Sequence, residues 1–197
     1  MSSRFVAGTR IEDVLDAATS VNRQRMSTTL DSLGENVHSP AEAQRAADIY
    51  HRLLDAIQQN RLDANVSVKL TQMGMELDPE LAFSMAAALV EHAVAAGTFV
   101  RIDMEDSAYT QATIDLVSKL NAMNGNRGHV GVVIQATALV GEDRVGDAHL
   151  AEGQANPQCL PAVQQLHDLR VGRSLRLRVP IARERRHQRP AAIQVEF

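Results

Sequence analysis

Tryptophan is absent from this 197-residue chain, and aromatic residues make up only 3% of it. The core must therefore be packed from aliphatic side chains, and a hydrophobic content of 45% supplies enough of them for a globular protein. Cysteine occurs once, at Cys159, so no disulfide can close within the chain, which fits a reducing compartment. No apolar run reaches the roughly 18 residues of a transmembrane helix. The opening MSSRFVAG lacks the apolar segment of a secretory signal. A net charge of -4 gives no general reason to expect nucleic acid or an anionic membrane surface as partner. A cytoplasmic protein with one substantial core is the expectation.

Several motifs are missing too. No strand-like run is followed by a GxGxxG or GxxxxGK loop, which weighs against a nucleotide-binding Rossmann or P-loop layout. Seven histidines show no HExxH or other ligand spacing, and nothing reads as a GxSxG elbow. Metal-dependent and serine-nucleophile chemistry are accordingly disfavoured.

What is present is alternation. Between residues 9 and 135, four units each pair a helix-period stretch with a short strand-like run. Thr9 with Glu12 has capping-box spacing before the stripe Ile11, Val14, Leu15 and Ala18, and MSTTLDS (Met26 to Ser32) follows as strand. Ser39-Pro40-Ala41-Glu42 opens a second helix with Tyr50, Leu53, Leu54 and Ile57 on its apolar face. NVSVKLTQ (Asn65 to Gln72) is the next strand. Asp78-Pro79 opens a third helix that Gly97 ends, and TFVRIDME follows it. The fourth helix packs Thr113, Leu116, Val117, Leu120 and Met123 before HVGVVIQ (His129 to Gln135). Helices of this length between strands predict right-handed βαβ units, a parallel sheet and an α/β fold of the (βα) TIM-barrel type, whole or partial.

In such a barrel the chemistry sits at the C-terminal ends of the strands. Those ends are Asp31, Lys69, Asp103 and Gln135. Val66, Val68 and Leu70 alternate with Ser67, Lys69 and Thr71, and Val100, Ile102 and Met104 alternate with Arg101, Asp103 and Glu105. If the apolar set packs on the helices, Lys69, Asp103 and Gln135 converge inside the barrel. Each residue also has a plainer reading. A strand-end lysine is usually just solvated, and a strand-end aspartate often caps the next helix, a task expected here of Asp106 or Ser107.

The segments RFVAG, TLDSLGE (Thr29 to Glu35), VSVKLTQMG (Val66 to Gly74), GTFVRIDMEDS (Gly97 to Ser107) and VGVVIQ (Val130 to Gln135) resemble the bacterial monofunctional proline dehydrogenases in content, order and spacing. KLTQ-x-G paired with R-x-D-M-E-D-S is specific to that family, and the likeness covers roughly residues 4–135. The resemblance implies a distorted (βα)8 barrel with non-covalent FAD that oxidises L-proline to Δ1-pyrroline-5-carboxylate, the first step towards glutamate. Electrons would pass to a quinone at the membrane, from a cytoplasmic protein or one held peripherally at the inner membrane. It implies no metal and no nucleic-acid partner. Lys69 matches the family's lysine that favours the proline carboxylate and the flavin edge. Asp103 matches its active-site aspartate. Met104, through its backbone, and Gln135, through its amide, match flavin contacts.

After Gln135 the likeness stops. The family continues with a KGAY strand, a Thr-His-Asp strand and an arginine-rich helix that clamps the proline carboxylate, whereas QATALVGEDRVGD diverges at once. From Arg170 onward there are eight arginines, no lysine and two acids, and RERRHQRP is one residue too short for the clamp. The expectation is a half barrel over residues 1–135 with a tail over 136–197, either diverged or read out of frame. A non-catalytic half-barrel module without flavin is the alternative, and another barrel lyase or hydrolase using Asp103 and Lys69 ranks below it.

Overall fold

The computed structural model describes residues 6–34, 36–123 and 125–133, and the backbone of 191–196. Gln135, Cys159 and the arginine-rich stretch as far as Pro190 lie outside the described residues. Helix α1 (Ile11–Arg23) leads into β1 (Thr28–Leu33), α2 (Pro40–Asn60), β2 (Ala64–Val68), α3 (Pro79–Ala96) and β3 (Val100–Ile102). A 3-10 turn (Ser107–Tyr109), α4 (Thr110–Ala122), β4 (Val130–Val132) and β5 (Ala191–Glu196) follow among the described residues. The strands form one sheet in the order β4-β3-β2-β1-β5, and every pairing is parallel. A parallel sheet whose strands alternate with helices is part of an α/β barrel, as the alternation predicts.

Local chemistry explains where the helices begin and end. The Ser39 hydroxyl accepts the Glu42 N–H at 3.3 Å, and the Glu42 carboxylate reaches the His38 N–H at 2.7 Å. The Asp78 carboxylate accepts the Glu80 N–H at 3.0 Å, and Pro40 and Pro79 fill first-turn positions that need no N–H. Arg61 and Gly97 end α2 and α3 in the left-handed conformation, at φ 51° and 69°.

Two expected caps are not made. The N-cap of α1 is Arg10 rather than Thr9, because the Arg10 guanidinium grips the first-turn carboxylate of Asp13 at 2.8 Å. The N-cap of α4 is Tyr109, reached through the 3-10 turn, where the Asp106 carbonyl accepts the Tyr109 N–H at 2.9 Å. Met123, expected in the packed stripe of α4, is its exposed C-cap, because the helix ends before the methionine turns inward.

Leu30, Val66, Val68, Val100 and Ile102 are all 0% exposed and form the sheet's side of the core. Tyr50, Leu53 and Leu54 of α2 and Leu89 and Val90 of α3 cover them, also at 0%. Each such aliphatic side chain contributes about 1.5–3 kcal/mol by leaving water.

Candidate active site

Residues in register on neighbouring parallel strands share a face, so the pairing decides what meets what. Leu30, Val66, Val100 and Val130 stand in one row, facing the helices. The next row, Asp31, Ser67, Arg101 and Gly131, faces the other way. Val68 and Ile102 are the last registered pair of β2 and β3, joined by the Asp103 N–H, which donates to the Val68 carbonyl at 2.9 Å. Lys69 and Asp103 are the residues that directly follow this pair, just past the C-terminal ends of adjacent strands. Both are half-buried.

Asp31 does not stand level with them. It is registered with Ser67, two residues before Lys69, and β1 runs on to Leu33 alongside β5. The expected strand end at Asp31 is thus displaced by two residues. Gln135, the fourth member of the expected rim, lies outside the described residues.

The three acids that follow β3 do three different things. The Asp103 carboxylate accepts the N–H of Met104 at 3.0 Å, which fixes its carboxylate at the strand end. Glu105 turns to the neighbouring loop, where its oxygens accept the Thr71 N–H at 3.0 Å and the Thr71 hydroxyl. Asp106 is exposed and contributes its backbone carbonyl to the 3-10 turn. Strand chemistry thus gives way to loop bracing within a few residues.

Behind the rim lies a buried hub that spacing alone does not reveal. The Tyr50 hydroxyl stands 2.9 Å from Gln72 Oε1 and 3.2 Å from Asp31 Oδ1, and accepts the Ser32 N–H at 3.3 Å. Gln72 Nε2 donates to the carbonyls of Ser32, at 2.9 Å, and Gly34. The amide orientation is set by those two carbonyls, so its oxygen must face Tyr50. Burial, followed by the negative charge of Asp31, pushes the Tyr50 phenol well above its usual range. The phenol therefore stays protonated and acts as a fixed donor. One cue was available: Tyr50 is one of two tyrosines in the chain, set in an otherwise aliphatic helix face.

A cavity of about 230 Å³ opens on the helix side of β1, lined by Gly34, Val37, Glu42, Ala46, Ile49 and Gln72 among others. Asp31, Lys69 and Asp103 do not line it, so it is separate from the rim. Among the described residues no helix is long and apolar enough to cross a membrane.

A parallel sheet carrying a lysine and an aspartate at adjacent strand ends defines a (βα) barrel-type site. The profile of one family, Proline dehydrogenase, matches residues 14–149 of the chain. Proline dehydrogenase 1 of Bacillus subtilis (strain 168) is 33% identical over 133 residues, 68% of this chain and 43% of that protein. Proline dehydrogenase of Deinococcus radiodurans is 32% identical over 139 residues, 69% of this chain and 44% of that protein. The chain belongs to the proline dehydrogenase family. It spans less than half the length of these curated relatives. Among solved structures, proline utilization A of Bdellovibrio bacteriovorus aligns over 68% of this chain and 17% of its own, with a TM-score of 0.62 at 21% identity. The corresponding protein of Corynebacterium freiburgense aligns over 68% of this chain and 15% of its own, with a TM-score of 0.59 at 24% identity. These two likenesses concern the fold.

Proposed function

We propose that this chain carries one half of a proline dehydrogenase site, in which FAD oxidises L-proline to Δ1-pyrroline-5-carboxylate and a quinone at the membrane receives the electrons. The observation that supports this reading is that Lys69 and Asp103 directly follow the last registered pair of the adjacent strands β2 and β3. A cation and a carboxylate at adjacent strand ends suit a zwitterionic amino acid, because each can meet the opposite charge.

In this reading the Met104 main chain would lie against the flavin, beside the Asp103 carboxylate that its N–H already serves. Bound FAD would supply the acceptor for the hydride that leaves the proline ring carbon next to nitrogen. The protein's part is positioning and shielding. The Lys69 ammonium draws in the substrate carboxylate and favours negative charge at the flavin edge. The Asp103 carboxylate, anchored by the Met104 N–H, orients the groups around the substrate. By the family resemblance Gln135, outside the described residues, would add an amide contact to the flavin. Residues 1–135 are the half barrel in this reading, β5 joins it at the β1 edge, and the rest of residues 136–197, into which the family match runs as far as residue 149, is the diverged or out-of-frame part. The protein works in the cytoplasm, touching the inner membrane peripherally to deliver electrons.

The test is colour and turnover. The purified chain should show flavin absorbance and reduce a dye when proline is added. If it shows neither, the chain is a non-catalytic half-barrel module. In an active preparation, Lys69→Ala removes a charge-assisted contact of roughly 1.5–3 kcal/mol, so kcat/KM for proline should fall about ten- to hundredfold. Asp103→Ala should damage turnover more than flavin retention. A Lys69 variant as active as the parent would remove the lysine from this scheme.

A further inference from the structure

On the outer side of the helices, away from the strand ends, two histidines 41 residues apart in sequence meet. His51 of α2 and His92 of α3 bring their Nδ1 atoms to 2.8 Å. The ring centres lie 5.1 Å apart and the planes differ by 21°. With the nitrogens so much closer than the centres, the rings meet edge to edge in nearly one plane. That is the geometry of a single N–H···N hydrogen bond, not of stacked faces. On its other side, His92 Nε2 lies 3.1 Å from the Asp55 carboxylate of α2.

These contacts determine where the hydrogens sit. A carboxylate only accepts, so His92 Nε2 carries a hydrogen. In the neutral ring His92 Nδ1 is then the acceptor, and His51 Nδ1 is the donor. We propose that His51, His92 and Asp55 form a proton-counting clasp between α2 and α3, closed by one shared Nδ1 hydrogen and opened when both imidazoles are charged.

The clasp tolerates one added proton. A proton taken up at His51 Nε2 lets the shared hydrogen pass to His92 Nδ1. The positive charge then rests on His92, between the His51 lone pair and the Asp55 carboxylate. A second proton puts N–H groups on both Nδ1 atoms at hydrogen-bond distance. The two donors repel and the contact breaks.

The charged groups acting on His51 are His92 from α3 and Asp48 and Asp55 from α2 itself. Among the described residues α1, β1 and β2, which also pack on α2, add no charged group to these. Burial, then the charge of His92, lowers the His51 pKa from the ordinary 6.5, while the two aspartates act in the opposite direction. A lowered folded-state value means the unfolded chain binds more protons below that pH. The stabilisation is complete above 6.5 and is lost as pH falls from there through the folded-state value. His51 directly follows Tyr50 on α2, and α3 begins just after the loop that holds Gln72. Opening of the clasp therefore loosens the two helices that frame the hub, whether or not the chain is an active enzyme.

His51→Asn tests the clasp, because its amide keeps a donor near the Nδ1 position and never takes the second proton. Unfolding of the full chain and of the variant is compared at about pH 8 and about pH 5, either side of the histidine range. The parent's unfolding constant should rise relative to the variant's by roughly tenfold for each unit that His51 titrates below its ordinary value. Amide protection factors in α2 and α3, which correct for the slower intrinsic exchange at low pH, should fall at the lower pH in the parent and not in the variant. Long-range ¹H–¹⁵N spectra of the parent at the higher pH should find hydrogen on His51 Nδ1 and His92 Nε2, a measurement that stands even if the variant fails to fold. Parallel pH profiles, or spectra with both Nδ1 atoms unprotonated, would overturn the proposal.

Discussion

A phenol has one proton to give, and the Tyr50 hydroxyl has two acceptors within 3.2 Å and a backbone donor at 3.3 Å. Because Gln72 is locked by two backbone carbonyls, its oxygen takes that proton most directly, and Asp31 meets the same hydroxyl from the strand side. One buried atom thus joins α2, the end of β1 and the loop after β2. Tyr50→Phe keeps the ring and deletes the atom. It leaves Gln72 Oε1 and the Ser32 N–H without this buried partner, a loss of roughly 1–3 kcal/mol. A lower denaturant midpoint with an unchanged m-value should register it. A midpoint equal to the parent's would mean that water or a rearranged Gln72 replaces the hydroxyl. Lys69 belongs to the same scale. It is one of two lysines beside eighteen arginines, so its lysine identity at a strand end carries more weight than an arginine's would.

At the scale of elements, β3 and β4 are held close by what one residue lacks. A Cβ on Gly131 would stand 2.8 Å from Cζ of Phe99, the residue just before β3. The glycine lets the ring lie across β4 on the inner face. Gly131→Ala must push the ring or the strand aside, and overpacking of this kind costs about 1–3 kcal/mol. Phe99→Leu shortens the intruding side chain, so the double variant should lose less than the two single losses added together. A thermal-unfolding cycle measures that coupling, and simple additivity would show that the ring swings away freely. The two caps that differ from expectation teach the same lesson. Thr9 and Asp106 have the right residue types, but an Arg10–Asp13 pair and a 3-10 turn take over the helix starts.

For the whole molecule, the decisive pairing is the parallel ladder between β1 and β5, registered from Thr28 with Ala191 to Leu33 with Glu196. It occupies the β1 edge, the side on which the last strand of a closed barrel would stand. Deleting residues 191–197 should leave that edge of β1 open. An open edge is a template for pairing with another chain, so the shortened protein should self-associate at concentrations where the parent does not. Light scattering on the two proteins reads this directly. An equally monodisperse deletion variant would show that β1 does not depend on β5.

The sequence by itself determined whatever repeats within one element or lies within a few residues of it. Helix period, the Ser39 and Asp78 caps, the Gly97 stop and the two-residue alternation in β2 and β3 are local, and they led to a parallel α/β fold. The family was legible for the same reason, since its motifs are continuous stretches of chain. Tertiary structure decided how far each strand slides past the next, and so set Asp31 level with Ser67, two residues before Lys69. It also brought Tyr50 to Gln72, Glu105 to Thr71 and His51 to His92. These contacts join residues 22, 34 and 41 positions apart, across elements whose separate patterns carry no record of their mutual register. Helices and strands are set by neighbours along the chain. Pairings of side chains between them exist only once the whole sheet has chosen its offset.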